Sequence, residues 1–374
     1  MSQSSSVFYR SVQKGQFVRS VARSDYREML SVLGFGSQVQ DIADCGSMSV
    51  AYDCVGNDTH RHWKPRGCRK PLCPFCSRSR TKSLVDYVRY KIRSVYGALR
   101  RPVHYIAYEF TVPYDLRQRI MAQGMKVFEK LAREAIEEYV RGYSPFNGRD
   151  VQFAIVQVPQ IWSSSDPMGK GPLPHVHGVL FSVAFDKAEQ IVLDVKVNRF
   201  GFEDDRGFKR LRSLWRSKLE KRYGASEARD VDVNFHYEKG GEHLTHRLYY
   251  MFRSPVHDVY SYVKAHGVQD YDVDWMRVLF AERKRVQRMT YSGWIAPRNC
   301  SEKSPFMKRF GIKFLKRTEY AKERRKLFCP TCGCLMERAL VPMMPTADVL
   351  GRGESVLVID RRLTFGGPQS LDGG

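Results

Sequence analysis

The stretch His175-Val-His-Gly-Val-Leu-Phe-Ser-Val-Ala-Phe185 (HVHGVLFSVAF) decides how this chain reads. It has the length of a strand and is largely apolar on both faces, the pattern of a central strand covered from each side. His175 and His177 are two positions apart, so a strand points both imidazoles to one face. They stand at the strand's start, just after the loop-forming run SSSDPMGKGPLP at 163–174. Two neutral imidazoles so placed can hold a divalent ion and leave coordination positions open for a substrate.

Further elements follow outward from this strand. Upstream, HYIAYEFTVP at 104–113 alternates, with Ile106, Tyr108, Phe110 and Val112 on one face and Glu109 and Thr111 on the other. Val151–Trp162 and Asp230–Tyr237 read as further strands, and Ser355–Asp360 as a last one. Helical periodicity is expected over 81–101, 114–142, 205–223, 242–266, 273–291 and 306–326, with a short helix near Tyr26–Leu33. Pro255 interrupts the 242–266 stretch, which makes Ser254 an N-cap and starts a second helix at the proline. Strands mixed with helices in this order predict an α+β sheet covered by helices.

Composition narrows the function. The 374 residues include 62 Lys and Arg against 40 Asp and Glu, a net charge of +22. Such a surface attracts a polyanion, and nucleic acid is the first candidate. A hydrophobic fraction of 43% is too high for a disordered chain. No apolar run approaches the roughly 18–20 residues of a membrane helix. The polar start, Met1-Ser-Gln-Ser-Ser-Ser, has no secretory pattern, so the expectation is a cytoplasmic protein without a membrane partner. A Walker-type G-x-x-x-x-G-K-[ST] stretch is missing, so strand separation is expected to need a helicase partner.

The nine cysteines fall in two clusters. Cys54, with Cys68-Arg-Lys-Pro-Leu-Cys73-Pro-Phe-Cys76, supplies four thiolates at a spacing suited to tetrahedral zinc. His60, His62 and Cys45 are spare ligands. Arg61, Lys64, Arg66, Arg69, Lys70, Arg78 and Arg80 make this module basic, as a DNA-facing element would be. Cys329-Pro-Thr-Cys332-Gly-Cys334 is one zinc knuckle, with three local ligands and Cys300 as the first candidate for a fourth.

Three motifs then stand in order: Phe110-Thr-Val-Pro113 ending a strand, His175-Val-His177, and Leu248-Tyr-Tyr-Met-Phe-Arg-Ser-Pro255 on a helix. With the cysteine-rich start they resemble the HUH endonucleases, and more closely the rolling-circle replication initiators (Rep proteins) of small plasmids and viruses. Related insertion-sequence transposases share the cysteine cluster. The resemblance spans about residues 54–264. It implies an HUH-type, ferredoxin- or RRM-like central antiparallel sheet flanked by helices. It also implies an N-terminal zinc module and a basic, mostly helical C-terminal region. The expected segments are an arm at 1–44, a zinc module and helix at 45–100, the endonuclease domain at 101–270, and the C-terminal region at 271–374.

The resemblance further implies that His175 and His177 hold Mg²⁺ or Mn²⁺, with a third ligand from the sheet. Glu109 is the candidate, and Gln157 and Gln160 are alternatives. The nucleophile is a tyrosine followed by a basic residue, which fits Tyr250-x-x-Arg253. Tyr249 is adjacent but about 100° around the helix; Tyr260, with Lys264 four residues on, and Tyr262 also compete. His243 and His246 share the helical face of Tyr250 and could contact DNA phosphate or the metal, or lie at the surface. The implied substrate is single-stranded or extruded origin DNA, nicked to leave a 5′-phosphotyrosine and a free 3′-hydroxyl for a polymerase. Two alternatives stay open: an HUH-type single-strand transposase, and a non-catalytic zinc-containing nucleic-acid-binding protein.

Overall fold

The computed structural model describes residues 9–12, 22–101, 103–142, 150–169, 171–185, 191–194, 206–224, 233–239, 243–268, 271–286, 290–296, 305–354 and 356–359. In chain order the first elements are β1 (Tyr9–Val12), α1 (Ser24–Val32), α2 (Val39–Ala43), β2 (Met48–Cys54), β3 (Asn57–Pro65), α3 (Pro74–Ala98), β4 (His104–Phe110), α4 (Arg117–Gln123) and α5 (Met125–Arg141). Next come β5 (Asp150–Gln160), β6 (His175–Phe185), β7 (Ile191–Asp194), α6 (Arg206–Tyr223), β8 (Val233–Lys239), α7 (Leu244–Phe252), α8 (Pro255–His266), α9 (Val273–Val286) and β9 (Thr290–Gly293). The last are α10 (Pro305–Arg309), α11 (Arg317–Arg325), β10 (Leu327–Phe328), β11 (Leu335–Arg338), β12 (Met344–Pro345), α12 (Thr346–Gly351) and β13 (Val356–Ile359). The class is α+β, and the chain divides into two compact units, 81–314 and 1–80 with 315–374.

The 81–314 unit is built on an antiparallel sheet in the order β8-β4-β6-β5-β9, with β7 also on β6. HVHGVLFSVAF is thus an inner strand, flanked by β4 and β5, which explains its apolar character on both faces. One face presents Tyr105, Ala107, Ala154, Val156, Val158, Val179 and Phe181 to Val85, Val88, Ile92 and Val95 of α3 and to Leu244, Leu248, Met251 and Phe252 of α7. On the other face Phe110 packs on Trp215 of α6 at 4.7 Å between ring centres, and Phe128 of α5 meets the same indole at 5.5 Å. Trp215 also donates to the Thr111 carbonyl at 3.0 Å. Truncating an indole buried this fully would cost about 3–5 kcal/mol.

The other unit carries a sheet in the order β1-β13-β3-β2-β11-β10, with β12 on β2. Its pairs are antiparallel except β13 with β3. Ala51, Trp63, Val349, Leu350 and Val356 form a small core there.

Four expectations change. The helix over 114–142 is broken at Gly124, whose φ of +89° suits glycine, into α4 and α5. The helix over 273–291 ends at Val286, because Thr290 and Tyr291 pair with β5 as a sheet edge. The 306–326 stretch is two short helices separated by a turn at Gly311, φ +62°. The C-terminal region is not mostly helical. Residues 327–359 contribute β10 to β13, which join β2 and β3 across most of the chain's length. These strands have two to four residues, too few for a period to show, and long-range pairing creates them. Strands from both ends of the chain thus share one sheet.

Candidate active site and metal centres

Glu109 of β4 lies directly opposite His177 of β6 in the antiparallel register, and Gln160 of β5 lies opposite His175. Opposed residues share a face, so the sheet delivers a carboxylate beside the two imidazoles. Ligand atoms of Glu109, His175 and His177 all lie within 4.8 Å of one another. The imidazole rings meet edge to face at 4.7 Å, and His177 Nε2 is 3.9 Å from Glu109 Oε1. His175 Nδ1 donates to the Leu173 carbonyl at 2.7 Å, which leaves Nε2 with its lone pair. Burial holds His175 down to about 4 and His177 well below the usual imidazole value. For His177, the neighbouring His175, Arg253 and Arg247 add to the effect. Both rings are therefore neutral, the state a metal ligand requires. His177 Nε2 is buried without a hydrogen-bond partner, an atom whose satisfaction a cation would supply.

The helix α7 crosses this same sheet face. Leu244, Leu248, Met251 and Phe252 anchor it in the core, and Tyr249 packs against that core. Tyr250, one residue on, faces the histidines instead, with its ring 5.0 Å from that of His177. The end of α7 is fixed to β5, since Gln160 Nε2 donates to the Met251 carbonyl at 3.0 Å. Gln160 is thereby a backbone anchor. Gln157 lies on the opposite face, bonded to Tyr108 and to the Glu129 carbonyl. Tyr260 is on α8, and the Tyr262 ring lies tilted against that of His266 further along that helix. His243 and His246 are exposed.

Arg253 follows the helix and covers the Tyr250 ring at 4.7 Å. Its Nε pairs with Asp258 Oδ1 at 2.7 Å, and its Nη2 donates to Ser164 Oγ at 2.6 Å. Asp258 is buried and also accepts from Trp162 Nε1 at 2.8 Å. Burial pushes its carboxyl up to about 6, against the pull of Arg253. Ser254 caps α8 with Pro255 in the first turn, as the sequence predicts, which sets Asp258 on the first turn of that helix. Sequence reasoning missed Asp258, Ser164 and Trp162. The available signal was the capped Ser254-Pro255 turn, which places a carboxylate close behind Arg253.

The cysteines regroup. Cys45, Cys68, Cys73 and Cys76 form one four-thiol cluster, and the member expected from Cys54 is Cys45. Cys45 and Cys68 each stand 3.8 Å from Cys76 in sulfur–sulfur distance. Tetrahedral zinc with bonds of about 2.3 Å has sulfur–sulfur edges of about 3.8 Å, so the cluster can bind a metal such as zinc. Hydrogen bonds from Cys45 and Cys73 hold the Cys76 thiol far below its usual value. Tyr26 of α1 donates to the Leu72 carbonyl at 2.9 Å and steadies the loop that carries Cys73. Cys54 belongs instead with His60, Cys329 and Cys332. The reason is the pairing of β2 with β11, which sets Cys54 opposite Met336 beside the knuckle. Cys334 is not one of that four, and Cys300 lies outside the described residues.

Among the described residues no helix is long and apolar enough to cross a membrane. Compared with models of known protein families, with curated proteins and with solved structures, the chain matches none, which leaves the site's own chemistry to carry the functional reading.

Proposed function

We propose that this protein is a metal-dependent DNA nicking and joining enzyme of the HUH type that uses Tyr250 as nucleophile and starts rolling-circle replication. The single observation that carries the reading is the convergence of Glu109, His175 and His177 with the Tyr250 ring set edge to face against His177. A pure binding protein has no need of a buried, neutral imidazole pair with a tyrosine beside it.

The residues fit a hard divalent cation with open positions: two neutral imidazoles and a carboxylate. Bound Mg²⁺ or Mn²⁺ would supply Lewis-acid stabilisation of the scissile phosphate and of the departing oxygen. Tyr250 Oη attacks phosphorus, the bond from phosphorus to the 3′ oxygen breaks, and the strand's 5′ end stays on the tyrosine as a phosphodiester. The freed 3′ oxygen takes a proton and becomes a primer end. Because the linkage keeps a phosphodiester's energy, a 3′-hydroxyl can later reverse the step without ATP. Arg253, locked by Asp258 and Ser164, presents positive charge to the tyrosine and to the anionic strand. Zinc on Cys45, Cys68, Cys73 and Cys76 would serve as a structural staple for the loop carrying Arg69 and Lys70 and for the start of α3 carrying Arg78 and Arg80, a basic surface that tracks the DNA backbone. A helicase and a polymerase complete the reaction.

The test uses purified protein and single strands from its own replicon, with Mn²⁺ or with EDTA. A Mn²⁺-dependent, SDS-resistant adduct that maps to Tyr250 and is lost in His175→Ala is the expected result. Tight DNA binding with no adduct would overturn the proposal in favour of a non-catalytic zinc-containing binder.

A further inference from the structure

We propose a second tetrahedral zinc site, formed by Cys54, His60, Cys329 and Cys332, that clasps the C-terminal knuckle to the β2–β3 hairpin. The observation is independent of any catalytic reading. One ligand atom from each of the four residues lies within 4.8 Å of the others. Cys54 and Cys332 are 3.3 Å apart in sulfur–sulfur distance, and Cys329 Sγ is 3.6 Å from His60 Nδ1. The sulfur–nitrogen separation is that of two ligands on one tetrahedral zinc, whose bonds of about 2.0 and 2.3 Å give an edge of roughly 3.5 Å, and the two sulfurs stand about half an ångström inside the roughly 3.8 Å edge that a bound ion would set.

The local backbone is built for ligation. Gly333 N–H donates to the Cys329 carbonyl at 2.8 Å, and Cys329 N–H donates to the Cys334 carbonyl at 2.8 Å, which folds the knuckle into a tight turn. Gly333 takes φ +73°, which glycine alone adopts freely. On the other side the β2–β3 register shifts between Asp53 and Cys54, the residue whose sulfur meets that of Cys332. His60 and His62 are two apart on β3, so they share its face. His62 Nε2 is 3.4 Å from Cys329 Sγ, within hydrogen-bond reach of it from outside the ligand set. Cys334 Sγ instead lies against Gly56, where any Cβ would collide with it.

Three thiolates and one imidazole in tetrahedral array are a zinc set. The site joins residues 269 apart in sequence. Metal binding here is therefore coupled to the union of the chain's two ends in one sheet, not merely to the turn. A disulfide between Cys54 and Cys332 is the competing chemistry. It would consume two of the four groups and leave Cys329 and His60 without a function.

The experiment measures zinc per chain by elemental mass spectrometry, with intact mass under non-reducing conditions, on the full-length protein. Wild type should hold two zinc ions and show the mass of the fully reduced chain. Cys332→Ser and His60→Ala should each hold one, while Cys334→Ser and Cys300→Ser hold two. If Cys332→Ser or His60→Ala fails to fold, His60→Cys supplies a thiolate in place of the imidazole and should keep both ions. One zinc in wild type would overturn the site. So would loss of the second ion in Cys334→Ser or Cys300→Ser, its retention in His60→Ala, or a wild-type mass short of two hydrogens.

Discussion

The Tyr250 ring stands nearly perpendicular to the His177 ring, 5.0 Å between centres, while its neighbour Tyr249 packs, half-buried, against the apolar core. One residue step on a helix is about 100°, so the burial of one tyrosine dictates the orientation of the other. Tyr250→Phe should therefore abolish the protein–DNA adduct, a loss of at least about a thousandfold. Tyr249→Phe should retain it, with a stability cost of about 1 kcal/mol. Quantified gels of the SDS-resistant adduct, with urea unfolding of each variant, check both.

Asp258 bonds to Arg253 and Trp162 and reaches Tyr250 through the guanidinium, so it is a positioning residue. Asp258→Asn should lower the nicking rate constant by about 10–100-fold, with DNA affinity unchanged, because the guanidinium loses the charge that holds it over the tyrosine ring. Asp258→Glu should restore part of the rate. Single-turnover nicking and a separate binding isotherm distinguish this from plain destabilisation, which would weaken both.

Glu129 is buried on the far face of the sheet, where Thr290 donates to its carboxylate, and burial raises its pKa to about 7 from 4.5. The folded protein thus keeps a proton that the unfolded chain releases near pH 4.5. Its contribution is fully present below that pH and is lost as pH rises through about 7, by about 3 kcal/mol in all. Urea midpoints from pH 5 to 8 should fall with pH in wild type and fall less in Glu129→Gln. Equal slopes would show that Glu129 is ionised in the fold.

Gly178 lies opposite Tyr108 in the β4–β6 register, and the tyrosine ring occupies the space a Cβ would need. The phenol is fixed there by its bond to Gln157 Oε1 at 3.0 Å. Gly178→Ala should cost about 1–3 kcal/mol through displacement of that ring. A double variant with Tyr108→Leu should cost less than the sum of the two single changes. Chemical denaturation of the three variants measures the coupling.

The elements that stand on local rules were legible in the sequence. His175–Phe185 emerges as an inner strand because eleven consecutive residues carry its signal, and Ser254-Pro255 marks the helix start because capping chemistry is local. Glu109 as a third ligand follows from the resemblance, not from strand alternation alone, and only the antiparallel register sets it directly opposite His177. Which of Tyr249 and Tyr250 faces the histidines needed the packing of α7, since both fit the motif. The cysteine partition needed the fold outright. Spacing favours Cys54 with Cys68, whereas the β2–β11 pairing carries Cys54 to Cys329 and Cys332 and leaves Cys45 to complete the first cluster. Periodicity, capping and charge act between neighbours in the chain and are written in it. Register between distant strands is chosen by burial and hydrogen bonding summed over a whole sheet, and only the assembled tertiary structure holds that sum.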